Sequence, residues 1–250
     1  MSESLTREPI LAAIRAALEP QPFVHAMWEG GAAGFGRIDQ WSDIDLQVDA
    51  DDDRVTDVFP LVEAAIAPLS PISLRYEIPQ PAWHGHHQVF YRLKNASPYL
   101  LLDFVVIRRS NPDKMIQPEM HGSPAVHFDK VGATRWTPLD RAALTAKLDD
   151  RKHSLLVSFE LFQILTEKEL HRKNWAEAMS FYHAFTLRPL VELLRIRHCP
   201  ERHGFYVRYY KHDLPLEVSA RLEPLFFVQS PDDLAKKRAE AETWFRSLMA

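Results

Sequence analysis

The sequence is poor in cysteine and contains no long apolar segment. Its 250 residues include a single cysteine, Cys199, which excludes a disulfide framework and a cysteine-based zinc finger and fits a reducing compartment. No apolar run approaches the roughly 18–20 residues of a membrane span. The opening residues, MSESLTREPI, lack the basic stretch and apolar run of a secretory signal. We therefore expect a cytoplasmic protein without a membrane partner.

An excess of charge of either sign is also missing. The chain has 30 Lys and Arg residues against 34 Asp and Glu residues, which gives a net charge of −4. This balance excludes a generally basic protein that coats nucleic acid, although it is compatible with a local basic groove. Hydrophobic residues make up 46% of the chain, which is enough for a sizeable core in one or two domains.

Glycine is scarce, and half of it lies in one place. Only 8 of the 250 residues are glycine, which is less than half of the typical usage of about 7%. Four of these 8 glycines fall within residues 30–36. A chain this poor in glycine that concentrates it in one short segment needs the backbone freedom of glycine in that segment.

Hydrophobic periodicity divides the chain into a mixed first half and a helical second half. Residues 20–110 predict five strands, at FVHAMWE, SDIDLQV, ISLRYEI, HQVFYRL and YLLLDFVVIRR. From residue 139 the apolar residues recur at helical spacing, and Pro189 should kink or split one helix. The predicted class is α+β: a mixed β-sheet domain with flanking helices over residues 1–112, a proline-bearing linker over 113–138, and an all-α helical bundle domain over 139–250.

The glycine segment is followed at once by a pair of acids. Asp43 and Asp45 lie two residues apart on a predicted strand, so their side chains share one face, roughly 6–7 Å apart along the strand. Two such carboxylates form half of a site for Mg²⁺, which takes one or two protein carboxylates plus phosphate and water. Glycines let backbone N–H groups approach a polyphosphate. The alternative, a solvated strand face beside a plain hairpin turn, is less favoured at this spacing.

A third acid stands alone in an apolar strand. Asp103 lies inside YLLLDFVVIRR. Burial of an unpaired carboxylate in such a strand lowers the stability of the fold by roughly several kcal/mol. A metal ion, or a proton to accept, would account for an acid in this place. The alternative is a structural carboxylate held by a helix terminus or by Arg108 or Arg109.

These motifs together resemble the polymerase β-like nucleotidyltransferase superfamily, which includes the aminoglycoside and lincosamide nucleotidyltransferases. The resemblance covers residues 23–49 well and residues 99–107 by position, and residues 126–136 and the helical tail resemble uncharacterised bacterial members more loosely. It implies a nucleotidyltransferase-like sheet domain. It also implies that Asp43 and Asp45 hold metal ions, and that Asp103 holds the second metal or activates the acceptor hydroxyl.

The same resemblance assigns the glycine segment to the nucleotide. Gly30, Gly31 and Ala32 would lie beside the triphosphate, and Ser42 would support the loop. The family's serine after the glycine is replaced here by Gly31 or Ala32, depending on the register. That serine normally contacts a phosphate, so binding here would depend on the backbone alone.

The implied reaction transfers a nucleoside monophosphate from an NTP, with ATP favoured, to a hydroxyl of a small-molecule acceptor and releases pyrophosphate. Mg²⁺ is the implied cofactor. One alternative is nucleotidyl transfer to a protein or RNA partner, as in an antitoxin-type enzyme. A second alternative is a catalytically weak nucleotide-binding regulator, which the missing loop serine alone supports.

A histidine cluster and a set of basic residues are two further features for which the sequence favours a structural interpretation. His84, His86 and His87 lie where a loop leads into a predicted strand, and no acid or cysteine follows at zinc spacing, so a solvated or substrate-lining loop is favoured over a metal site. Contact of this loop with the acceptor is an alternative that the sequence leaves open. The helical half concentrates positive charge among tyrosines, which predicts a solvated helix face or contacts to a triphosphate or an RNA. These basic residues are Arg188, Arg195, Arg197, Arg202, Arg208 and Lys211.

Overall fold

The chain folds into two units, Met1–Pro138 and Leu139–Ala250, and the computed structural model describes residues 4–136 and 138–249. The first unit contains α1 (Arg7–Leu18), β1 (Val24–Glu29), α2 (Gly31–Gly34), β2 (Ile44–Ala50), α3 (Val55–Ile66), β3 (Ile72–Glu77), β4 (His87–Leu93), β5 (Leu101–Arg108), α4 (Pro118–His121) and β6 (Ala125–Asp129). The second contains α5 (Arg141–His171), α6 (Trp175–Phe181), a π-helical segment (Tyr182–Leu187), α7 (Arg188–His198), a 3-10 segment (Pro200–Phe205), α8 (Tyr210–Asp213), α9 (Leu216–Leu222), a second 3-10 segment (Glu223–Phe226) and α10 (Pro231–Met249).

The strands of the first unit form one mixed sheet. Their order is β3-β4-β5-β2-β1-β6. β2 and β5 run parallel at the centre, and the other neighbouring pairs are antiparallel. The predicted α+β class is confirmed, and β1 to β5 coincide with the five strands that the sequence predicts.

The segment expected as a linker, residues 113–138, instead completes the sheet. Its β6 pairs antiparallel with β1, which gives partners to backbone groups that an edge strand leaves unpaired. Ile116 and Ala133 of the same segment are buried in one cluster with Trp28 of β1. A strand of five residues among prolines carries too little periodicity to be distinguished from a loop, so the sequence pattern missed it.

One face of the sheet is covered by α1 and α3. Alternate side chains of the central strands point to this face and are buried with apolar residues of both helices. Burying an apolar side chain of this size contributes about 1.5–3 kcal/mol, so this layer fixes the register of the strands. Its strand members include Ile44, Leu46, Val48, Val89, Tyr91, Leu93, Leu102, Phe104 and Val106.

Asp49 near the end of β2 is a buried charge. Its side chain is 0% exposed, although it begins an acidic run of the kind that usually forms a solvated turn. Its carboxylate contacts Arg109 Nη1 at 3.2 Å and Lys114 Nζ at 2.6 Å. A carboxylate without water is tolerated only with such partners, so these contacts tie β2 to the segment that follows β5.

A π-helical segment joins α6 to α7 just before Pro189, the residue that was expected to kink or split a helix. Pro189 has no N–H group, so the carbonyl of Phe185, four residues earlier, lacks its usual helical donor. Gln163 Nε2 of α5 donates to that carbonyl at 2.8 Å, and Thr186 Oγ1 donates to Gln163 Oε1 at 2.7 Å. The chain is π-helical here rather than broken. In the part of the chain that the structure describes, no helix is both long and apolar enough to cross a membrane.

Arg195 of α7 organises the irregular segment that follows it. Its Nη1 donates to Asp213 Oδ2 at 2.9 Å, its Nε donates to the carbonyl of Tyr206 at 2.5 Å, and its Nη2 donates to the carbonyl of Arg208. Arg195 is 0% exposed. The prediction of a solvated face or a phosphate contact is therefore wrong for this residue, because its donors are used inside the helical unit.

We expect Arg195→Met to destabilise the helical unit by about 3–5 kcal/mol, because it leaves the carbonyls of Tyr206 and Arg208 without this donor and Asp213 with Arg202 as its remaining cation. Arg197→Met is the matched control, since Arg197 is an exposed residue of the same helix and should change stability by less than about 0.5 kcal/mol. Urea unfolding followed by far-ultraviolet circular dichroism measures both. Equal losses in the two variants would contradict the structural role of Arg195.

Candidate active site

The parallel pairing of β2 with β5 brings two of the predicted acids together. The register places Asp45 directly opposite Asp103, and neighbouring strands lie about 4.8 Å apart. Both residues occupy the sheet face away from α1 and α3, because their neighbours Leu46 and Phe104 point into the helix-covered core. Both side chains are partly exposed. The two acids therefore occupy adjacent positions on the sheet face opposite α1 and α3, where both remain partly exposed.

Asp43 lies just before β2, at the beginning of the same two strands. Its carboxylate accepts a hydrogen bond from the backbone N–H of Leu101, the first residue of β5. Burial raises the pKa of the Asp43 carboxyl above its ordinary value of 3.8, and the Leu101 hydrogen bond opposes part of the rise. Asp43 is thus a half-buried acid at the same end of the strand pair as Asp45 and Asp103.

The glycine segment makes direct contact with Asp45. The N–H of Gly30 donates to the carbonyl of Asp45 at 2.9 Å, which extends the β1–β2 ladder by one residue. Gly31 has a φ of +50°, and a Cβ built on it would lie 1.7 Å from Asp45 Oδ2. No side chain fits at residue 31 while Asp45 keeps this position. The carboxylate therefore packs directly on the glycine backbone.

The rest of the segment is a helical turn rather than an open loop. Gly31–Gly34 form α2, which includes Ala32. A Cβ on Gly34 would lie 2.8 Å from the carbonyl oxygen of His121, so the backbone of α2 crosses that of α4 at close range. The glycines at residues 31 and 34 are thus required by two different contacts.

Ser42 stabilises the turn that leads into β2. Its Oγ donates to Asp39 Oδ1 at 2.7 Å and accepts the N–H of Asp39 at 2.9 Å. These contacts close the turn immediately before Asp43. The role carried over from the family, support of the loop by Ser42, stays a prediction, and the hydroxyl lies within a local hydrogen-bonded turn.

Two partners of the site were not found from the sequence. Gln88 of β4 donates from Nε2 to Asp103 Oδ1 at 2.7 Å. Arg7 of α1 forms a buried ion pair with Glu29 and donates to the carbonyl of Asp43 at 3.3 Å. Arg7 thus joins the end of β1 to the beginning of β2. Both partners are distant in sequence from the acids, so no local spacing reveals them.

The histidines before β4 are more enclosed than a solvated loop. His86 is 1% exposed, and its ring stacks with that of His84 at a centroid distance of 5.4 Å. Burial is the main cause that lowers the pKa of His86 and of His87, and Asp113 and Glu77 respectively oppose part of the effect. These two imidazoles are therefore neutral at pH 7, and the prediction of a solvated loop is wrong for His86.

The donor chemistry of the site fits Mg²⁺. Asp43, Asp45 and Asp103 offer only oxygen, which is the ligand type that Mg²⁺ takes in proteins, often from one or two carboxylates. Gln47, buried beside Gly30, has an Oε1 atom without a hydrogen-bond partner in the described chain. Within residues 4–136 and 138–249 no three His, Cys, Asp or Glu side chains converge as a preformed metal group. A metal here would therefore complete its shell with phosphate and water.

The chain has no match among family models or curated sequences and a distant likeness to a solved structure. Among solved structures, the chain is similar to an aminoglycoside 6-adenyltransferase from Bacillus subtilis, with 12% identity and a TM-score of 0.39 over 98% of this chain and 89% of that chain. A likeness this distant carries no argument about function, which depends instead on the geometry of the acids and the glycine segment.

The contact between Gly31 and Asp45 predicts a steric coupling. Gly31→Ala should destabilise the first unit by about 2–4 kcal/mol, from a positive φ and from displacement of the carboxylate. Gly36→Ala is the matched control, because Gly36 also has a positive φ, +62°, but a Cβ built on it would have nothing within 4 Å. It should cost only about 1–2 kcal/mol. Chemical unfolding measures both variants.

A double-mutant cycle separates the clash from the backbone strain. In an Asp45→Ala background, Gly31→Ala should cost less than in the wild type, since the carboxylate is gone and only the Cβ of residue 45, at 3.0 Å, stays close to the new methyl group. If Gly31→Ala costs the same with and without Asp45, the two residues are not in the contact that the structure gives them.

The raised pKa of Asp43 predicts a pH-dependent penalty on stability. A carboxyl whose pKa is higher in the folded state than in the unfolded state destabilises the fold above that pKa, and the penalty disappears as the pH falls below the ordinary value of 3.8. Asp43→Asn should therefore be more stable than the wild type at pH 7, with a difference that shrinks toward zero below about pH 4. Unfolding free energies measured from pH 3 to pH 8 test this, and a difference that grows on acidification would contradict it.

Proposed function

We propose that the chain is a Mg²⁺-dependent nucleotidyltransferase that moves a nucleoside monophosphate from an NTP to a hydroxyl group of a small molecule. The observation that carries the proposal is the placement of Asp45, which lies opposite Asp103 and packs on Gly31. Acids beside a side-chain-free backbone suit a reaction in which a metal and a polyphosphate must lie together. In this proposal the unit Met1–Pro138 is the catalytic domain.

The nucleotide would bind on the glycine side of the acids. The first N–H groups of a helix have no carbonyl partner within it, and in α2 these belong to Gly31, Ala32 and the residue that follows. A phosphate would approach these N–H groups beside the Asp45 carboxylate, because Gln47 and Asp45 fill the positions that side chains at residues 30 and 31 would take. Backbone donors would take the place of the serine hydroxyl that the family places here.

Asp43, Asp45 and Asp103 would hold the metal. A bound Mg²⁺ would neutralise charge on the phosphates and on the attacking and leaving oxygens. Asp103 is held in one orientation by Gln88, which leaves the carboxylate placed to receive the proton of the acceptor hydroxyl. Arg7 would act indirectly, because it fixes the backbone at Glu29 and Asp43 from which the site is built. The contribution of the protein is positioning and charge neutralisation.

ATP is the nucleotide that we propose, from the family resemblance. We expect wild-type protein to be stabilised by ATP in the presence of Mg²⁺, with a thermal shift that grows as ligand exceeds its dissociation constant. The Asp43→Ala/Asp45→Ala double variant should lose this shift and any turnover. The Asp149→Ala/Asp150→Ala double variant is the matched control, because it removes the same charge from exposed positions of α5 and should keep both.

The acceptor is tested with ATP labelled in the α-phosphate. A labelled small product from a metabolite extract supports the proposal, whereas label that stays on a protein or an RNA band favours the macromolecular acceptor. If the wild type shows no Mg²⁺-dependent shift with any of the four common NTPs, the nucleotidyltransferase proposal is wrong.

A further inference from the structure

The acids belong to a longer row that crosses the sheet. Strand register places Tyr76 opposite Phe90, Phe90 opposite Asp103, and Asp103 opposite Asp45. The N–H of Gly30 then bonds to the carbonyl of Asp45. From β3 to the end of β1, the row therefore reads aromatic, aromatic, acid, acid, glycine.

The two aromatic residues form an open platform. Their rings stack at a centroid distance of 6.4 Å with planes 20° apart. Tyr76 is 58% exposed, and Phe90 is partly exposed, whereas its neighbours Val89 and Tyr91 are buried on the helix side. The rings thus lie on the same face as the acids, the one opposite α1 and α3. We call Tyr76 and Phe90 the aromatic platform.

The place of the aromatic platform in the row indicates whether it faces the nucleotide or the acceptor. In an in-line displacement at phosphorus, the attacking oxygen and the leaving pyrophosphate lie on opposite sides of the reacting atom. The glycine segment, on one side of the two acids, is the proposed site of the phosphates. The platform lies on the other side, which is the side from which the acceptor hydroxyl must attack.

We propose, on the basis of the proposed function, that the aromatic platform binds the acceptor and that the acceptor is a hydroxylated ring compound with an apolar ring face. Neighbouring strands lie about 4.8 Å apart, so a ring stacked on Phe90 carries a hydroxyl to Asp103 without a linker. A second ring reaches Tyr76. Aromatic rings and the C–H faces of sugar rings both meet this requirement, because each presents apolar area to an aromatic face.

The platform is tested with named ring probes by saturation-transfer NMR. Phenyl β-D-glucopyranoside carries an aromatic and a sugar ring, methyl β-D-glucopyranoside carries a sugar ring alone, and glycerol carries hydroxyls without a ring. We expect wild-type protein to saturate the ring protons of at least the phenyl glucoside, and not glycerol. Tyr76→Ala and Phe90→Ala should each weaken that signal about three- to tenfold.

Control variants distinguish binding at the aromatic platform from non-specific binding of the ring probes to the protein. Phe227→Ala removes an aromatic residue that is 65% exposed from the helical unit and should leave the signal unchanged. Tyr76→Phe keeps the aromatic ring and should therefore give the wild-type saturation-transfer signal with the phenyl glucoside, unlike Tyr76→Ala. Equal signals in all variants, or no binding of either glucoside to the wild type, would overturn the platform.

A nucleotide analogue separates the acceptor site from a nucleobase site. With Mg²⁺, α,β-methylene-ATP should bind without displacing the phenyl glucoside, and both Ala variants should bind the analogue as the wild type does. Displacement of the glucoside, or loss of analogue binding in Tyr76→Ala, would assign the platform to the nucleobase and overturn the inference. Failure of the wild type to bind the analogue would instead count against the proposed function itself, whichever ring probes bind.

Discussion

The parallel pairing between β2 and β5 is the constraint on which the candidate site depends. It is the central pair of the sheet, and its register alone puts Asp45 beside Asp103. A shift of one residue would turn every side chain of β2 to the other face, which would bury Asp45 under α1 and α3 and separate it from Asp103. The apolar layer beneath the sheet prevents that shift, because Ile44, Leu46 and Val48 have no exposure in the present register.

Buried ion pairs mark the places where the chain must be held without regular structure. Arg7 with Glu29 fixes the glycine segment to α1, and Asp49 with its two cations fixes the chain after β5. Arg195 does the same work for the irregular segment after α7. Taking charges out of water is costly, and the attraction repays this only in good geometry. Such pairs therefore fix position more than they add stability.

Local patterns in the sequence predict the strands and the two motifs that define the site. Alternation predicts β1 to β5, and the spacing of the glycines and acids predicts that they act together. Contacts between distant residues escape such patterns: Gln88 meets Asp103 across 15 residues, and Arg109 meets Asp49 across 60. The burial of Asp49 and Arg195 also escaped prediction, because a charged residue is exposed by default and only its partner reveals otherwise. The strand β6 was missed because it is short and is defined by its pairing with β1 rather than by its composition.

The packing of Asp45 on Gly31 has a consequence for how this protein can diverge. As long as residue 45 is an acid in this position, residue 31 has a single choice, whereas the exposed stretch 38–41 can vary in length and composition. Loss of the acid would remove the steric exclusion at residue 31, and the positive φ of +50° alone would then favour glycine there. Two constraints therefore act on residue 31, one from the backbone and one from Asp45, and a related chain that replaces this glycine must have changed both the turn and the position of the acid.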